Sequence, residues 1–194
     1  MIILEGLGIY YGKFARTQRP EPSTTTQSRN IDEKTNQALR QKLNNFAPTG
    51  LHIVIDTAQN RLYLKKGATL IREAVISSGS GSKLEDPEQN REWVFDTPRG
   101  VFSVKSKQKN PLWVKPDWAY IEEGKRPPKN KQDRFESGVL GDYALGFGDG
   151  YFIHGTLYSR LLGRNVSHGC VRVGDKDLQA VYAAAAIGTK IYIF

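Results

Sequence analysis

From Leu51 onward the chain is built of short aliphatic, β-branched runs separated by turn residues. This punctuation constrains its fold more than any other feature. Ile53-Val54-Ile55, Leu62-Tyr63-Leu64 and Ala74-Val75-Ile76 follow one another, with Lys66-Gly67 as a turn. Runs this short do not sustain helices, and β-branched side chains pack well on a pleated surface. The pattern predicts short strands joined by tight turns. Thr97-Pro98-Arg99-Gly100-Val101-Phe102 predicts a turn entering a strand, because proline fixes one dihedral and glycine supplies a permissive one. Tyr151-Phe152-Ile153 predicts a buried strand with His154 at its end, and 190–194 a last strand with alternating isoleucines. One helix stands out: Leu178, Val181, Tyr182 and Ala185 share a face, with Asp175 as N-cap and Gly188 as the closing residue. From residue 50 the chain therefore reads as mainly β with one clear helix.

Two stretches depart from this texture. Residues 1–49 read as an N-terminal arm or linker, since 15–49 are rich in Thr, Ser, Gln, Asn, Arg and Pro. Ala38, Leu39, Leu43 and Phe46 recur there at helical spacing and predict a short helix over 32–46. Residues 105–134 hold nine Lys and Arg against four acids, so most of the net charge of +8 gathers in this segment. Poor periodicity predicts a long loop. Its interspersed Trp113, Trp118 and Tyr120 fit either a solvated insertion or a lid whose aromatics and cations cover a groove. Residues 77–82 read as a Ser/Gly loop. They lack the Gly-Lys-Ser/Thr element that a phosphate cradle needs.

The bulk chemistry narrows the classes. A single cysteine excludes an intramolecular disulfide and any zinc site built on several thiolates. No apolar run approaches the ~20 residues of a transmembrane helix. The opening MIILEGLGIYYGKFARTQ lacks a basic leader region and is interrupted by Glu5, so it is not read as a signal peptide. A positive balance suits anionic partners such as nucleic acid, acidic membrane surface, wall polymers or carboxylate-rich peptides.

That one cysteine lies in Ser167-His168-Gly169-Cys170-Val171-Arg172, with His154-Gly155 upstream. A thiol becomes a good nucleophile when it ionises, and a histidine can take its proton. Glycine lets backbone amides approach an acyl oxygen closely. Nucleophile, base candidates and amide donors thus occur together. Other readings remain at this level: a small core cysteine, a zinc site of His154, His168 and Cys170 at an uncommon spacing, or a basic single-strand-binding surface over Lys105–Arg134 with no accompanying motif.

At these residues the sequence resembles the L,D-transpeptidase catalytic domain, or YkuD domain, over roughly 50–194. The resemblance is carried by Thr97–Phe102, Ala144-Leu145-Gly146-Phe147-Gly148-Asp149-Gly150-Tyr151, His154-Gly155-Thr156 and Ser167–Arg172. It implies a β-sandwich-like catalytic domain, a lid over residues 105–134, and acyl transfer on peptidoglycan stem peptides without cofactor or metal. Cys170 would attack the carbonyl of the third residue of a donor tetrapeptide and release D-alanine. The side-chain amine of an acceptor stem would then resolve the thioester as a 3→3 cross-link. His154 matches the family's base and His168 is given a supporting role. Amides around Gly169 and Cys170 are the oxyanion candidates. Arg172 is either a carboxylate contact or a structural ion pair, and Ser167, Gly155, Tyr143 and Trp113 are further substrate-binding candidates. Water as acceptor would give an L,D-carboxypeptidase, and a protein amine an anchoring transferase. The resemblance also implies a cell-envelope location and acylation of Cys170 by carbapenem-type β-lactams.

Overall fold

The computed structural model describes residues 33–39 and 48–194. Residues 33–39 form a helix, α1, exposed along its length. The rest of the helix predicted over 32–46 lies outside the described residues. By its contacts the chain divides into units 1–45 and 46–194, and the following concerns the second.

The aliphatic runs form the strands expected of them. β1 (Leu51–Asp56) pairs antiparallel with β2 (Arg61–Lys66), placing Ile53 opposite Leu64 and Ile55 opposite Leu62. All four side chains are buried, because residues two apart share one face of a strand. β3 (Thr69–Gly79) is long and serves two neighbourhoods. Its first part pairs with β2. Its last part pairs with β13 (Val171–Val173) and β12 (Asn165–Ser167). Residues 77–79 therefore continue a strand instead of opening the expected loop.

The remaining strands extend the sheet on both sides. β14 (Lys190–Ile193) runs parallel to β1 and antiparallel to β6 (Gly100–Ser103). Beyond β13 come β11 (Tyr151–His154), β10 (Tyr143–Gly148) and β7 (Ser106–Lys109). The full order is β6-β14-β1-β2-β3-β13-β11-β10-β7, with β12 attached to β3. The sheet curls around one core containing Ile53, Leu62, Ile76, Leu145, Phe147, Ile153 and Val171. Each such side chain contributes about 1.5–3 kcal/mol when fully buried.

The predicted helix is α3 (Asp175–Ala184), which lays Leu178 and Val181 into this core. Its N-cap is Gly174, and Asp175 is the first helical residue, where its charge favours the positive end of the helix dipole. Its C-cap is Ala185. Gly188 sits beyond it at φ +89° and donates its N–H to Val104 at 2.8 Å, so it shapes the turn after the helix and does not close it.

Two small hairpins stand outside the main sheet: β4 (Lys83–Asp86) with β5 (Arg91–Val94), and β8 (Leu112–Val114) with β9 (Phe135–Ser137). The segment predicted as a loop over 105–134 is ordered. It contributes β7, β8, a short helix α2 (Asp117–Glu122) and a 3-10 turn (Lys131–Arg134). Among the described residues no helix is long and apolar enough to cross a membrane.

Candidate active site

Cys170 sits in a three-residue loop between β12 and β13, and several polar contacts fix that loop. Ser167 Oγ donates to the Cys170 carbonyl at 2.5 Å and accepts the Gly169 N–H at 3.1 Å. Thr97 Oγ1 donates to the Gly169 carbonyl at 2.9 Å and accepts the Gly79 N–H at 2.8 Å. Gly169 has φ +112°, and a Cβ there would meet the Tyr151 ring at 2.7 Å and the Asp96 carbonyl at 2.9 Å. Only glycine fits this crossing. One strand earlier, Asn165 Oδ1 accepts from Asn60 Nδ2 at 2.6 Å, while Asn60 Oδ1 accepts from the Ser78 hydroxyl at 2.9 Å. Asn60 holds the left-handed conformation, φ +53°, that asparagine tolerates at a tight turn. Buried polar groups satisfied in this way hold the loop rigid.

His154 ends β11, which runs parallel to β13 and places it opposite Arg172. Its side chain is buried, and its Nδ1 has no hydrogen-bond partner among the described residues. Burial lowers the imidazole pKa to about 4, with the Arg172 charge acting the same way and hydrogen bonds to the Gly155 and Leu140 backbone opposing it. His154 is thus neutral at pH 7. The Gly155 and Leu140 backbone holds the ring, and Nδ1 is left without a partner. Burial also pushes the Cys170 thiol up, against smaller opposite effects from the Phe152 backbone and Arg172. Thiol and imidazole rest as a neutral pair.

Two chambers meet at Cys170. One, of about 300 Å³, is lined by His154, Arg172, Ser167, Thr156, Tyr158, Glu136 of β9 and the lid residues Lys115, Glu122 and Glu123. The other, of about 570 Å³, is lined by Trp93, Phe95, Tyr151 and Phe152 with Leu112 and Val114. Trp113, Trp118, Leu140, His168 and Cys170 border both. The expected lid segment thus brings Trp113 and Trp118 to the same two chambers as the thiol.

The predicted site residues divide into two groups. Cys170, His154, His168, Arg172, Ser167 and Trp113 come together around the first chamber. Arg172 lines the first chamber and forms no salt bridge among the described residues. Ser167 borders the chamber, but its hydroxyl is consumed within the loop, and the Gly169 amide is already bonded to it. Gly155 borders neither chamber. It allows backbone to approach backbone, since a Cβ there would lie 2.9 Å from Gly141 Cα and 3.1 Å from the Leu140 carbonyl. Tyr143 also borders neither. Its ring packs on Tyr182 at 4.6 Å, because its position in β10 faces α3. Sequence reading missed Thr97, whose position in the Thr-Pro-Arg-Gly turn was the available signal, and Glu122, for which no signal exists without the helix.

Comparison with known proteins agrees with this architecture. The family described as YkuD, L,D-transpeptidase catalytic domain, matches residues 50–193. The chain is 32% identical over 144 residues to "Probable L,D-transpeptidase ErfK/SrfK" of Salmonella typhimurium, covering 73% of this chain and 43% of that protein. It thus spans less than half the length of this relative. Among solved structures, the L,D-transpeptidase of Xylanimonas cellulosilytica superposes with a TM-score of 0.55 at 24% identity, covering 76% of this chain and 62% of that one. L,D-transpeptidase 3 of Mycobacterium tuberculosis, solved with a faropenem-derived adduct, gives 0.52 at 22% identity, covering 74% and 60%. The fold, the matched span and the ordered motifs leave one assignment: the chain belongs to the L,D-transpeptidase catalytic domain (YkuD) family.

Proposed function

We propose that the protein forms 3→3 cross-links between peptidoglycan stem peptides in the cell envelope through a thioester on Cys170, with His154 as base. The observation that carries this reading is the buried, unpartnered Nδ1 of a neutral histidine in the same chamber as the only thiol. Family membership supports acyl transfer.

Each step balances. Sγ of Cys170 attacks the donor carbonyl while its proton passes to His154 Nδ1. A neutral resting pair suits this coupling, because proton transfer accompanies bond formation. The C–N bond then breaks and the departing D-alanine amine takes the proton. An acceptor amine attacks the thioester, gives its proton to His154, and the C–S bond breaks as the thiolate recovers a proton. Gly169 spends its amide on Ser167, so the Cys170 N–H is the oxyanion donor of this scheme.

The two chambers give the scheme a direction. Leaving and incoming amines both exchange a proton with His154, so both belong in the chamber that contains it. Arg172 borders the same chamber and suits the carboxylate of the departing residue. The acyl side then extends toward the aromatic chamber. The faropenem-derived adduct of the Mycobacterium tuberculosis relative supports the expectation that a β-lactam acylates Cys170 here.

The test is intact-mass spectrometry with a carbapenem, followed by product analysis of a tetrapeptide with and without an acceptor amine. One adduct on wild type, none on Cys170→Ala, and a dimeric 3→3 product are expected. Turnover retained by Cys170→Ala overturns the reading. Free tripeptide without dimer assigns the site to hydrolysis instead.

A further inference from the structure

We propose that Glu122 is a positioning residue for the chemistry at Cys170: from the lid helix it holds His168, and through His168 it couples the lid to the nucleophile loop. Only its transfer readout rests on the proposed function.

Trp118 and Glu122 lie four residues apart on α2, so they share one face of the helix. The His168 ring occupies that face. It stacks on Trp118 with centroids 4.2 Å apart and an interplanar angle of 19°. Phe95 meets it in a T-shaped contact at 4.5 Å and also touches Trp118 at 5.2 Å, so the three rings form one cluster. Its Nε2 lies 2.9 and 3.1 Å from the two Glu122 carboxylate oxygens. A carboxylate only accepts, so this contact holds the proton on Nε2 and sets the ring orientation. His168 precedes Gly169 and Cys170 directly, and Trp118 borders both chambers.

The rest of the helix fits this division of labour. Asp117, at its start, is tied to Arg91 and Arg134, each at 2.6 Å. Those contacts anchor the helix to the β4–β5 hairpin and to the 3-10 turn. Glu123, at its end, turns to Lys115 and Lys125. Glu122 is the carboxylate of α2 that faces the nucleophile loop. Its side chain is 49% exposed. A pair this exposed adds little to global stability, so its consequence is concentrated in how the lid sits.

The experiment measures Cys170 alkylation by iodoacetamide, stem-peptide transfer and thermal midpoint in Glu122→Ala, Glu122→Gln and His168→Phe. Glu122→Ala frees the lid, so alkylation should rise about five-fold, the scale of one exposed polar contact. Transfer should fall by a similar factor, chiefly in KM, with an unchanged midpoint. Glu122→Gln keeps an acceptor oxygen and should restore both values. His168→Phe keeps the stack but not the hydrogen bond, and should match Glu122→Ala with no further change in the double variant. Alkylation and transfer both unchanged in Glu122→Ala overturns the proposal. Both falling together with the midpoint makes Glu122 a structural residue and overturns it as well. A wild type that is alkylated yet transfers no stem peptide defeats the proposed function alone, and alkylation then decides the coupling by itself.

Discussion

The curled sheet and the lid are built from opposite materials. The sheet buries Ile53, Leu62, Leu145, Phe147 and Ile153 almost completely, and its core is aliphatic. The lid is held by ion pairs and ring contacts: Asp117 with Arg91 and Arg134, Lys115 with Glu123, Trp118 with His168. Apolar burial is non-directional and strong, whereas partly exposed ion pairs are directional and weaker. The difference assigns stability to one region and adjustable geometry to the other, and the thiol lies where they meet.

The largest effect expected is in the sheet. Leu145→Ala removes a side chain with no exposed surface, and should cost about 2–5 kcal/mol in a urea titration. A loss below 1 kcal/mol would break the contrast with the lid. Next comes His154. Burial holds its folded pKa at about 4, below the ordinary imidazole value of 6.5, so folding is favoured at and above pH 6.5. That contribution fades as pH falls toward 4, amounting to roughly 3 kcal/mol. Stability measured from pH 7 to 4 should show this slope, and His154→Gln should flatten it. An unchanged slope would separate His154 from the effect.

Thr97→Val is a smaller perturbation of the join between the regions. It strands the Gly79 amide and the Gly169 carbonyl, costing about 1–3 kcal/mol. It should also slow acylation of Cys170, which mass spectrometry would follow. The smallest stability effect belongs to the lid. Asp117→Asn should cost at most about 1 kcal/mol, and the wild-type contribution should shrink with added salt. A loss comparable to Leu145→Ala would mean that the lid is part of the core.

What could be read from the sequence follows the same divide. Short aliphatic, β-branched runs identified β1 and β2, although only β2 alternates strictly between buried and half-buried positions over its first residues. The loop around Cys170 was legible because its residue types stand together in the chain. α2 was not, because six residues carry little periodicity and its N-cap, Pro116, offers no side-chain acceptor. Tyr143 was misplaced because a half-buried aromatic at the start of a strand looks alike whichever face it serves. Ser167 and Gly155 stand close to the catalytic motif, yet a hydroxyl turned inward and a crossing of two backbones leave no separate trace in the sequence.

The position of β14 has a consequence for biosynthesis. It lies between β1 and β6, pairing with both, although they precede it by most of the domain. A chain emerging from the ribosome holds β1 and β6 long before the strand that joins them. The sheet edge they form stays open, and the core with it, until residues 190–193 are free to insert. Folding of this unit is therefore completed only once residues 190–193 have emerged, and an arrest before them would leave aliphatic strand edges exposed to pair with other chains.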